Sequence, residues 1–126
     1  MRTYNSPRLL TFSVSHGKLR IQIQVLKSVW DVEKAFSIGS KPAKKKLIAH
    51  AFFEQFSKRS KHFGRIVLPS DGLLSELIPH EVAHAVISYF ESVSGDHEEM
   101  AATVIGRLSA SISNRFAQLN RSQTIH

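Results

Sequence analysis

Cysteine is absent from the 126 residues. That excludes disulfides, thiolate metal sites and cysteine nucleophiles, and it leaves histidine and carboxylate as metal ligands. No stretch approaches the ~20 consecutive apolar residues that a membrane-crossing helix needs. The opening Met-Arg-Thr-Tyr-Asn-Ser-Pro-Arg leads into a short mixed run without a signal-peptide core. The expectation is therefore a cytoplasmic protein with no membrane partner. No internal repeat or low-complexity tract interrupts the chain. Carboxylates are also scarce, with 10 Asp and Glu against 17 Lys and Arg, a net charge of +7.

What is present fits a single domain over residues 1–126. An apolar share of 42% supports a small core, and the charges are spread along the chain as in globular proteins. The cationic excess gathers between Lys41 and Arg65, in Lys41, Lys44, Lys45, Lys46, Lys58, Arg59, Lys61 and Arg65. Two readings stay open for this region: a surface that meets nucleic acid or an acidic protein, or the solvated face of a helix.

Residues 9–15 alternate apolar and small polar side chains, and residues 19–26 (Leu-Arg-Ile-Gln-Ile-Gln-Val-Leu) alternate strictly. With His16-Gly17 as a turn, the two predict a hairpin. Residues 29–38 fit either a short helix or a loop, closed by Gly39-Ser40. Pro42 suits a first helical turn, and Leu47, Ala51, Phe52 and Phe56 share one side at helical spacing, which predicts a helix over residues 42–62. A third strand follows at residues 65–68. A helix then runs from Leu73 or Ser75 to Glu91, either capped by Ser75 or kinked at Pro79. Asp96 is placed to cap a last helix reaching about Leu119, with Glu99 at the capping-box position. The expected class is α+β, a small and mostly antiparallel sheet packed on helices.

The chemistry lies in His80-Glu81-Val82-Ala83-His84. Two histidines four apart on a helix stand one turn apart on one face, so both imidazoles can reach one ion. Glu81 points beside that ion, where it can take a proton from a bound water and pass it to a leaving amine. A catalytic zinc needs a third protein ligand and one open position.

The run from His80 to Tyr89 (His-Glu-Val-Ala-His-Ala-Val-Ile-Ser-Tyr) resembles the active-site helix of thermolysin-type gluzincins. In that group the third ligand is a glutamate opening a following helix, trailed by small and apolar residues and a glycine. Glu99-Met100-Ala101-Ala102-Thr103-Val104-Ile105-Gly106 is similar, departing at Thr103, where the larger enzymes carry an aspartate that orients a ligand histidine. The pattern from Glu98 to Ala102 also resembles small phage- and plasmid-borne antirestriction metalloprotease-like domains. The resemblance covers residues 73–108 and implies a reduced zincin fold, a Zn2+ cofactor held by His80, His84 and Glu99, and Glu81 as the catalytic base.

Glu98 competes with Glu99 for the third place. Glu98 shares a face with Ala101, Ile105, Leu108 and Ile112. Glu99 shares one with Ala102, Thr103, Gly106 and Ala110, small residues that would let two helices approach closely. His97 has two readings, an aid to the oxyanion of a tetrahedral intermediate or an exposed residue beside a helix start. Tyr89 is expected in the core, while His16, His50, His62 and His126 have no spacing relation to the motif.

The function expected is a zinc-dependent peptidase acting on a protein or peptide, selective for one partner because only 27 residues follow Glu99 to wall a cleft. The alternative is a non-enzymatic zincin scaffold that binds nucleic acid or an acidic protein through the basic region, in an antirestriction or regulatory role.

Overall fold

A computed structural model describes residues 8–39, 50–93 and 95–124. The elements in chain order are β1 (Arg8–His16), β2 (Leu19–Leu26), α1 (Val29–Gly39), β3 (Phe52–Gln55), β4 (Gly64–Pro69), α2 (Leu74–Glu91) and α3 (Glu98–Thr124). The class is α+β, as the patterning indicates. The hairpin forms where alternation is clearest: β1 and β2 pair antiparallel from Arg8 opposite Leu26 to His16 opposite Leu19. Gly17 supplies the turn's positive φ of 59°.

The sheet order is β1-β2-β4-β3. β3 pairs antiparallel with β4, but β2 and β4 at the centre run parallel. The sheet is therefore mixed, where a mostly antiparallel one was expected. Parallel neighbours need a long crossover, which α1 and β3 occupy. Alternation along β2 sends Ile21, Ile23 and Val25 into a core with Phe12, Ile66 and Leu68. α2 contributes Ile78, Val82, Ala85 and Val86 to it, and α3 contributes Val104, Leu108 and Ile112. On the opposite face a smaller cluster joins Leu26, Val32, Phe52 and Val67, with Ala35 and Phe36 of α1 against it.

The helix expected over residues 42–62 does not survive. Residues 42–49 lie outside the described residues, and residues 52–55 form a strand. Two adjacent phenylalanines show the reason. Phe52 meets Phe36 edge-on at 5.3 Å on the α1 side, and Phe53 stacks on Phe63 at 5.9 Å on the other. Only a period of two turns neighbours to opposite faces. Arg65 Nε donates to Glu54 Oε1 across the β3–β4 pair at 2.6 Å.

α1 is a helix, opened by a reciprocal cap in which Asp31 N–H donates to Ser28 Oγ and that hydroxyl donates to Asp31 Oδ2. α3 reaches Thr124, beyond the expected end near Leu119, and Asp96 Oδ1 accepts the Glu98 N–H as anticipated. No helix among the described residues is long and apolar enough to cross a membrane.

Candidate metal centre

The turn between β4 and α2 is tied to the turn between β2 and α1. Ser70 N–H donates to Leu26 O, Ser70 Oγ to Lys27 O, and Val29 N–H to Asp71 Oδ1. α2 therefore leaves the sheet from a fixed point. It starts at Leu74, so Ser75 lies in its first turn and is not its cap; Leu73 at the cap position makes no side-chain cap bond. Pro79 sits inside the helix, where its ring removes the bond that the Ser75 carbonyl would accept.

Helical geometry then separates the motif residues. Ile78, Val82, Ala85 and Val86 face the sheet and are buried, while His80 and His84 fall on the exposed side. At about 100° per residue, Glu81 lies between those two arcs. It shares the side of Ile78 and Ala85 and is buried with them.

The two imidazoles meet at 84° with ring centroids 4.8 Å apart, and their Nε2 atoms are 3.2 Å from one another. Two nitrogens that each lie ~2.05 Å from one tetrahedral ion stand about 3.3 Å apart. The pair therefore has the separation of two ligands on one centre. Without an ion, the same distance lets one ring N–H donate to the other ring's lone pair. Glu81 Oε2 is 3.8 Å from His80 Nε2. His80, Glu81 and His84 offer ligand atoms within 4.8 Å of one another, a group that can hold a metal ion. Two imidazoles and a carboxylate without thiolate suit Zn, Fe, Ni or Cu better than Ca or Mg.

Burial pushes the Glu81 carboxyl up to about 7. The cause is loss of hydration of the charged form, and a cation nearby would act in the opposite direction.

Glu98 and Glu99 both stand exposed in the first turn of α3, and neither joins this group. The small-residue stripe expected to let α3 approach α2 is not the contact face. Ala102, Thr103, Gly106 and Ala110 are exposed, and a Cβ added at Gly106 would meet nothing within 4 Å. α3 packs instead through Ala101, Val104, Leu108 and Ile112. Glu98 lies towards that side and lines a hollow of about 360 Å³ with Ile87, Phe90, Glu91 and His97. His97 stacks on Phe90 at 5.1 Å and stays apart from the His80 group. Tyr89 packs against the core, edge-on to Phe63 at 5.5 Å.

Two residues given no role by spacing come close to the motif. His50 and Glu76 line a hollow of about 300 Å³ with Leu73, Leu77 and His80. Glu76 is one helical turn before His80, a relation legible in the sequence. His50 lies just before β3, 30 positions from His80 in the chain, and no local pattern announces it.

The chain matches no protein-family model, and no curated protein or solved structure is significantly similar to it.

Proposed function

We propose that the chain is a metal-dependent peptidase on a reduced zincin fold, with zinc held by His80, His84 and a carboxylate from the first turn of α3. The observation that carries this reading is the 3.2 Å between the two Nε2 atoms, with a buried carboxylate beside them. The turn of α2 that exposes the histidine pair also carries Glu81 to its buried edge, which leaves a carboxylate beside the pair for proton transfer.

Zinc at this position would supply Lewis acidity and lower the pKa of water at the site. Glu81 accepts the proton of the attacking water at a carboxylate oxygen and returns it to the departing amine. His80 and His84 are exposed, so an extended peptide can reach them. For the third ligand, the resemblance favours Glu99 and the packing of α3 favours Glu98. The substrate is a protein or peptide.

The test is hydrolysis of an unstructured substrate, a casein or a peptide library, by zinc-loaded wild type and Glu81→Gln. Glutamine keeps the shape but cannot accept the proton, so a loss on the order of 10²-fold or more is expected at unchanged zinc content. Equal inactivity of both proteins on every substrate would reduce the motif to a metal-binding scaffold.

A further inference from the structure

No carboxylate precedes Asp31 in the chain, and none lies between Glu54 and Asp71. The fold brings these two acid-free stretches together. β4 begins beside the start of β2, Gly64 opposite Ile21, and β3 ends opposite Gly64. The β1–β2 turn and the loop over residues 56–63 therefore share one end of the sheet. Phe63 N–H donates to Arg20 O at 2.7 Å, and Phe56 N–H closes the loop on Phe63 O at 2.9 Å. His62 Nε2 lies 2.8 Å from Ser13 Oγ, which seats the loop against β1.

Lys18, Arg20, Lys58, Arg59 and Lys61 are all exposed at this end, and none is in an ion pair among the described residues. The positive field is felt locally. Burial first, and then the Arg20 and Lys61 charges, hold the His62 imidazole below its ordinary value. Arg65 is withdrawn from the cluster, since its guanidinium bonds Glu54 Oε1 and Gln24 Oε1. Of the cationic stretch of the sequence the surface keeps Lys58, Arg59 and Lys61, loses Arg65 and gains Lys18 and Arg20; Lys41, Lys44, Lys45 and Lys46 lie outside the described residues.

We propose that this end of the sheet binds nucleic acid, with Lys18, Arg20, Lys58, Arg59 and Lys61 neutralising backbone phosphates. Five cations on two adjoining turns, none of them in an ion pair among the described residues, match a polymer that presents one charge per ~1.7 Å of duplex. An anionic membrane fits less well. Among the described residues the exposed large apolar ones are Leu9, Trp30, Leu73, Ile87, Val93 and Met100, all outside these two turns, so these turns offer no large exposed apolar side chain to an acyl layer. An acidic protein would want an apolar centre to its interface, which this end does not offer. This basic surface shares no residue with the His80-Glu81-His84 group.

The experiment is fluorescence anisotropy of the full chain with a labelled 20-base-pair DNA duplex and with its single strands, from 50 to 200 mM NaCl. Five phosphate contacts give a log–log salt slope of about −4.5, at −0.9 per contact on duplex. Lys58→Ser/Arg59→Ser/Lys61→Ser should weaken binding at least tenfold and cut the slope by roughly three-fifths. Lys27→Ser/Lys34→Ser, which removes charge elsewhere, should change binding less than twofold, and His80→Ala should leave it intact. Absence of salt-sensitive binding to either probe would overturn the proposal. So would an equal loss in the two cation variants, or tighter binding to polyglutamate or phosphatidylserine vesicles than to DNA.

Discussion

Glu81 and His80 are neighbours in the chain and opposites in solvent contact: the Glu81 side chain is 4% exposed and that of His80 57%, with 3.8 Å between Oε2 and Nε2. One residue's rotation about α2 is enough to create this contrast. It sets an acid that resists ionisation beside a ring that water can reach.

The first prediction concerns pH in chelator-treated protein. The folded Glu81 carboxyl holds its proton up to about pH 7, whereas its ordinary value is 4.5. Between those values the folded state binds more protons than the unfolded one, so stability falls as pH rises through this window and stays lower above it. Glu81→Gln should match wild type at pH 4 and be the more stable protein at pH 8 in urea unfolding. Identical curves at both pH values would show that the carboxylate is not desolvated.

Metal binding should depend on both imidazoles. Wild type supplied with zinc should hold about one ion per chain, and His80→Ala and His84→Ala should each hold almost none. Elemental analysis after gel filtration reads this directly. Retention of zinc by either variant would remove its histidine from the site.

The third ligand is decided by a pair of variants. If Glu99 serves, Glu99→Ala loses zinc affinity far more than Glu98→Ala; if Glu98 serves, the order reverses. Either way an ion so held would tie α2 to α3, and a chelator should then lower the melting temperature by several degrees, the shift that ~1–2 kcal/mol gives in a domain of this size. No change in melting with both glutamates dispensable would confine the site to α2.

Gly64 should tolerate no side chain. A Cβ there would run into the Glu54 carbonyl and the Phe53 ring across the β3–β4 pair. Gly64→Ala should cost about 1–3 kcal/mol, in the range of overpacking a filled interior. Denaturant unfolding measures it, and a loss under 0.5 kcal/mol, roughly the level of an indifferent surface change, would mean that β3 moves aside freely.

How much of this was legible follows from how local each feature is. Ile21 and Ile23 alternate with Arg20 and Gln22, so β2 shows itself in eight residues. The spacing of His80 and His84 is likewise a property of one helix turn. β3 was hidden because Phe52 and Phe53 are both needed, one for each face, and a short strand covered on both sides shows no alternation. Ala51, Phe52 and Phe56 then mimic a helical stripe. The parallel union of β2 and β4 leaves no local trace. The place of Glu98 and Glu99 depends on which side α3 turns to its neighbours, and the small residues near Gly106 suggested the wrong one. His50 approaches His80 only through the complete fold.

The parallel union also governs the order in which the protein can be assembled during synthesis. β2 emerges early but finds its second neighbour only when residues 64–69 follow. Until then its inner edge offers unpaired amides along Arg20, Gln22 and Gln24, an adhesive strip for other chains. A nascent or truncated chain that stops before Gly64 should aggregate, and one extended through α2 should stay dispersed.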